Sequence, residues 1–171
     1  VIININMKAL VIGCSGQLGR ALMKELLNQN LEVTGTYNLT KLNDCLQMSL
    51  LDKIEIEDLM FKLRPQLIIN AAAFTDVDGC EINKEQCFKV NAEAVNRMVR
   101  GARAIGAYFV HVSTDYVFDG ERGMYKEDDL PYPVNFYGLS KLVGESYALS
   151  YDMSLVVRTS GVFSASKQNF P

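Results

Sequence analysis

Tyr137-Gly-Leu-Ser-Lys141 sets a phenol and an amine at i and i+4, neighbours on one helix face. A phenol ordinarily titrates at about 10. An ammonium beside it stabilises the phenolate and makes the hydroxyl a better proton donor at neutral pH. By itself such a pair is ordinary helix surface. Ser113-Thr114-Asp115 changes its meaning, because these residues directly follow an apolar run, at the carboxyl edge of a sheet, where open α/β folds bind ligands. One hydroxyl to orient a carbonyl, one phenol to protonate its oxygen and a nicotinamide to supply hydride together make carbonyl reduction.

A nicotinamide needs a seat, and Gly13-Cys-Ser-Gly16-Gln-Leu-Gly19 offers one. In this GxxGxxG loop Gly13 serves the tight turn, Gly16 lets backbone approach a pyrophosphate, and Gly19 lets a helix pack close to a strand. The phosphates would then meet free N–H groups at a helix N-terminus. The alternative is a mere strand–helix turn. A carboxylate about 20 residues past the loop would hold the ribose 2′-OH of NAD; the second strand instead ends in Thr36-Tyr37-Asn38. Arg20 and Lys41 offer a cation to a 2′-phosphate, which favours NADP(H) and leaves NAD(H) open. Equally, both are solvated surface charges.

These groups need elements to carry them. Lys8–Gly13 is a short apolar run with a glycine stop, a buried strand. Gln17–Gln29 repeats Leu18, Leu22, Leu26 and Leu27 at helical spacing. Leu31–Thr36 predicts a second strand, Asn38–Ser49 an irregular polar stretch, and Lys53–Leu63 an amphipathic helix stopped by Pro65. Leu67–Asn70 predicts the third strand. Glu81–Ile105 is helical in two pieces ending at Gly106, and Ala107–Ser113 is the fourth strand. Asp115–Asn135 is a long loop, Phe136–Tyr151 a helix, and Ser154–Thr159 the last strand. Continuous apolar strands alternating with helices predict a doubly wound parallel sheet of Rossmann type, class α/β.

The chain has 171 residues, the size of one domain, and 49% hydrophobic against 22% charged residues, a globular balance. A net charge of −3 and the lack of a basic stripe argue against nucleic acid as partner. The apolar runs are too short to span a bilayer, so no membrane role is expected. Val1–Asn6 lack the features of a signal peptide and read as an extension upstream of Met7, which leaves the protein in the cytoplasm. Cys14, Cys45, Cys80 and Cys87 form no CxxC pair and there is one histidine, so neither a metal site nor a disulfide framework is expected. His111 lies in an apolar strand and reads as a core histidine rather than a catalytic one.

The glycine loop, Ser113-Thr114 and Tyr137-x-x-x-Lys141 resemble the extended short-chain dehydrogenase/reductases. Asn70-Ala-Ala-Ala-Phe-Thr-Asp-Val-Asp78, Ser113-Thr-Asp-Tyr-Val-Phe-Asp-Gly120 and Asn135-Phe-Tyr-Gly-Leu-Ser-Lys141 narrow the resemblance, which runs from about Met7 to the end, to the dTDP-4-dehydrorhamnose reductases. The resemblance implies a domain over 7–171 that carries cofactor and catalytic residues. It implies reduction of the C4 ketone of dTDP-4-dehydro-β-L-rhamnose to dTDP-L-rhamnose. Thr114 would hydrogen-bond the ketone, Tyr137 would donate the proton, and Lys141 would bind the nicotinamide ribose. Gly13, Gly16, Gln17, Leu18 and Gly19 would line the pyrophosphate. Ala71, Ala72 and Ala73 would lie along the adenosine and ribose, unless they are simple strand-end packing. Tyr37, Ser49 and Leu50 join the cofactor set. Thr75, Val77, Asp115 and Tyr116 would border the sugar nucleotide. Asn91 would steady the lysine through water, or else cap a helix before Ala92-Glu-Ala94.

The sequence departs from the family where an aspartate near the adenine is replaced by Ser49, and where Gly161 follows Arg158-Thr-Ser in place of an aromatic. Family members continue into a smaller C-terminal domain that closes over the sugar nucleotide, and the sequence stops at Pro171, so that region is expected to be largely absent. Two other outcomes share the motifs. One is an NADP-binding regulatory subunit like that of methionine adenosyltransferase. The other is a reductase or epimerase of another nucleotide sugar. A homodimer is compatible with any of these.

Overall fold

The structure, a computed structural model, describes residues 7–52 and 54–163, so the extension proposed for residues 1–6 lies outside it. Six strands form a single parallel sheet: β1 (Lys8–Ile12), β2 (Glu32–Tyr37), β3 (Leu46–Gln47), β4 (Leu67–Asn70), β5 (Tyr108–Thr114) and β6 (Ser154–Thr159). Their spatial order is β3-β2-β1-β4-β5-β6. The order reverses between β1 and β4, and the carboxyl ends of those strands open a crevice there. The predicted doubly wound Rossmann-type architecture is the one observed.

The apolar strand runs follow from burial on both faces. In β1, Leu10 and Ile12 enter the larger core with Ile56 and Met60 of α2 (Glu55–Leu63) and Val95 and Met98 of α5 (Ala94–Ile105). Val11 between them points the other way, toward Leu22, Met23 and Leu26 of α1 (Gln17–Asn28).

Several elements differ from the sequence reading. The stretch read as irregular contains β3, two residues paired to Thr36 and Tyr37, too short to show a pattern. The helical region starts four residues before Glu81, as α3 (Val77–Ile82), because Asp76 Oδ1 accepts from Gly79 N at 3.0 Å and caps it. After Asn83 come α4 (Lys84–Phe88), a π-helical segment (Lys89–Glu93) and α5. The last helix, α6 (Phe136–Leu149), ends before Tyr151, whose hydroxyl instead donates to Ala107 O at 3.0 Å within the core. The long loop after β5 opens with a 3-10 turn, Asp115–Val117.

Cys14, Cys80 and Cys87 are buried free thiols, and Cys45 is a half-buried one. Among the described residues no three potential metal ligands gather, and no helix is long and apolar enough to cross a membrane.

Candidate active site

The glycine loop joins β1 to α1 at the crevice. Gly13 has φ +86°, and a Cβ there would come within 2.8 Å of Ala72 N, so the loop lies directly on the backbone that leaves β4. Gly19 is required by proximity: its Cβ would stand 2.2 Å from Gly13 O. Gly16 is the N-cap of α1 and supplies no side-chain cap, and it borders the crevice together with Gln17, Leu18 and Gly19.

The crevice is a cleft of about 840 Å³, within the usual size range of cofactor sites. Its walls bring together Gly13, Gly16, Gln17, Leu18 and Gly19, then Tyr37 and Leu50, then Ala71, Ala72, Ala73, Thr75 and Val77. Thr114, Asp115, Tyr116, Tyr137 and Lys141 complete the predicted set. Two predicted residues stand elsewhere. Ser49 falls between Met48 and Leu50, which do line the cleft, and its hydroxyl turns to Leu51 N at 3.2 Å. Asn91 lies inside the π-helical segment, not at a cap, and does not line the cleft. Its amide accepts from Phe74 N at 2.8 Å, donates to Phe74 O at 3.1 Å and donates to Ser140 Oγ at 3.0 Å, which ties the post-β4 strand end to α6. Arg20 and Lys41, the two cations weighed for a 2′-phosphate, are exposed and outside the cleft lining, and Arg20 Nε donates to Ser15 O at 3.0 Å.

The sequence reading did not assign Met48, Phe74 and Thr159–Val162, all of which line the cleft. Ser113 also lines it, and its Oγ is buried without a hydrogen-bond partner among the described residues.

The catalytic candidates sit on β5 and α6. Asn135 Oδ1 caps α6 by accepting from Gly138 N at 2.8 Å, which fixes the first turn that carries Tyr137. Ser140 Oγ donates to Tyr137 O at 2.7 Å. The phenol ring meets the exposed ring of Tyr116 edge-on, centroids 5.6 Å apart. Thr114 Oγ1 also accepts from Tyr116 N at 3.2 Å and donates to Asp115 Oδ1 at 3.2 Å. Burial pushes the Tyr137 phenol above its ordinary value, and the Thr114 side chain only partly offsets this. The expected lowering by Lys141 is not realised. Lys141 is 2% exposed, and its amine turns into the sheet, where Nζ donates to Val112 O at 2.7 Å and lies 3.4 Å from His111 Nε2. Burial lowers Lys141 to about 8, against the opposing charge of Glu145.

A family model described as RmlD substrate binding domain matches residues 7–171. The chain belongs to this family. As an RmlD-family chain it is 36% identical over 165 residues to a dTDP-4-dehydrorhamnose reductase of Aggregatibacter actinomycetemcomitans, covering 95% of this chain and 54% of that protein. It is 33% identical over 152 residues to methionine adenosyltransferase 2 subunit beta of Bos taurus, covering 89% of this chain and 46% of that protein. The crystal structure of a hypothetical dTDP-4-dehydrorhamnose reductase from Sulfolobus tokodaii superposes with a TM-score of 0.87 at 54% identity, over 92% of this chain and 57% of that one. A dTDP-4-dehydrorhamnose reductase from Bacillus anthracis in complex with NADP superposes with a TM-score of 0.81 at 30% identity, over 91% of this chain and 54% of that one. This RmlD-family chain therefore spans about half the length of the curated relatives it matches.

Proposed function

We propose that residues 7–171 form an NAD(P)H-binding domain that carries the catalytic groups of a reductase, acting on the C4 ketone of dTDP-4-dehydro-β-L-rhamnose. The observation that carries this reading is the placement of Thr114, Tyr137 and Lys141 on the wall of the same cleft that the glycine loop borders. A glycine at the N-cap of α1, with the helix start on the cleft wall, fits a phosphate-bearing cofactor there. The relatives named as reductases and the NADP complex of one of them support NADP(H), with NAD(H) as the second choice.

Gly13, Gly16, Gln17, Leu18 and Gly19 hold the pyrophosphate, with Ala71, Ala72 and Ala73 along the ribose. When bound, the reduced nicotinamide supplies hydride to the carbonyl carbon. Thr114 donates to the ketone oxygen and fixes its orientation. Tyr137, kept protonated by burial, gives its proton to that oxygen as negative charge develops there. Lys141 would turn from Val112 O toward the cleft to hold the ribose and bring positive charge to the phenol. Thr75, Val77, Asp115 and Tyr116 border the sugar nucleotide.

The test is NADPH oxidation by the purified protein in the presence of dTDP-4-dehydrorhamnose. Turnover to the alcohol is expected. Absence of turnover together with co-purification of a methionine adenosyltransferase catalytic chain would replace this reading with the regulatory-subunit one, which the bovine relative supports. Turnover confined to a different nucleotide sugar would keep the chemistry and change the substrate.

A further inference from the structure

A file of polar groups runs from the cleft floor to the buried amine of Lys141. Ala72 N donates to Asn70 Oδ1 at 3.1 Å. Asn70 Nδ2 lies 3.1 Å from His111 Nδ1. His111 Nε2 lies 3.4 Å from Lys141 Nζ, and Nζ lies 2.7 Å from Val112 O. Asn70, His111 and Lys141 are all buried, so water does not compete for these contacts.

The backbone groups at the two ends fix the direction of every bond between them. Ala72 N–H can only donate, so Asn70 presents its carbonyl oxygen there and its NH₂ to the imidazole. A neutral imidazole has one acceptor and one donor nitrogen. Nδ1 faces a donor and must accept, which puts the ring proton on Nε2. That N–H points at Lys141 Nζ and needs a lone pair. An ammonium has none and a neutral amine has one. The amine still has N–H groups for Val112 O, which can only accept. The one arrangement that satisfies every member of the file is Nε2–H histidine beside neutral lysine.

We infer that Asn70 and His111 are positioning residues that set the protonation state and direction of Lys141: through the Nε2–H tautomer they hold the neutral amine against Val112 O, and a protonated Lys141 leaves this position for the cleft. The inference rests on the proposed reduction for its catalytic meaning, since it makes delivery of the lysine charge to the ribose and phenol a pH-linked event. The electrostatics agree. Burial holds His111 well below its ordinary range, so the ring stays neutral. The charged and titratable groups around the amine come from four elements. Glu145 on α6 and Cys87 on α4 raise Lys141; His111 faces it from β5; Arg158 on β6 engages Glu145 at 2.7 Å; and Tyr137 stands one turn away on α6.

The chain has a single histidine, so a ¹⁵N-histidine NMR spectrum reports one ring. At a pH above the midpoint of Lys141 the expected proton position is Nε2. A proton on Nδ1 would overturn the inference, and this measurement needs no variant. Asn70→Asp still accepts from Ala72 N–H but offers no donor to the ring. The proton is then expected to move to Nδ1, and the midpoint of Lys141, read from ¹³Cε-lysine resonances, to rise by about one unit or more. His111→Gln, whose amide can donate in place of Nε2–H, is expected to leave that midpoint near the wild-type value. An Asn70→Asp protein that keeps Nε2–H would equally sink the inference. None of these readouts uses substrate, so failure of the reductase assay and failure of this inference are separate results.

Discussion

Lys141 titrates at about 8 in the fold, against an ordinary lysine value of 10.5. Between those values the unfolded chain holds a proton that the folded one has released, so folding stability rises with pH across that window. The gain sums to about 3 kcal/mol at one unit per ~1.4 kcal/mol. Below about 8 the folded and unfolded chains both hold the proton, and this gain is absent. Lys141→Met is expected to be the more stable protein near neutrality and to lose its advantage toward about pH 10.5. Urea unfolding of both proteins across this window checks it, and parallel stability curves would refute it. The same residue shows a limit of sequence reading. Helical spacing placed Tyr137 and Lys141 on one face, as found, because spacing fixes Cβ positions. It does not fix the end of a flexible four-carbon stem, and the pull of Val112 O and His111 on the amine comes from a strand 29 and 30 positions away.

The glycine loop works as an element because helix and strand are pressed together. Gly19→Ala sets a methyl against the backbone of Gly13 and Cys14, which no rotamer change relieves. A loss of about 1–3 kcal/mol in stability is expected, with weakened NADPH binding because α1 is pushed away from the loop. Fluorescence titration of NADPH and a urea melt test both; a variant with wild-type affinity would show that the close approach is dispensable. Most strands and helices were legible, because two-faced burial leaves unbroken apolar runs such as Leu67–Asn70. The misses have local causes. Asp76 looks like a loop residue until its carboxylate is seen capping α3. Ser49 stands where the family pattern has an aspartate, yet it is Met48 and Leu50 on either side that line the cleft. Asn91 was legible as a polar residue within a helix, but its links to Phe74 and Ser140 join segments 17 and 49 positions apart.

The sheet order carries the glycine loop, the alanine run and the β5–α6 hydroxyls to one edge, where they line one cleft. One ion pair anchors its far side: Glu145 on α6, 2% exposed, accepts from Arg158 Nη2 of β6 at 2.7 Å and from Nε at 3.0 Å, and Arg158 Nη1 reaches Glu127 O in the long loop at 3.3 Å. Glu145→Gln leaves a half-buried guanidinium without its counter-charge, and a loss of about 3 kcal/mol is expected in urea unfolding. The same change removes a charge that raises Lys141, so the lysine midpoint should fall below about 8. An unchanged midpoint would mean that the two groups are electrostatically independent.

The central claim is that the Tyr137 phenol protonates the reduced ketone while the rest of the cleft holds the cofactor. Steady-state turnover of Tyr137→Phe, with NADPH affinity measured on the same preparation, addresses it most directly. The account predicts a fall in kcat of roughly 10²–10⁴-fold, the usual contribution of a general acid, with NADPH affinity within about twofold of wild type. A variant that keeps most of its rate would contradict it.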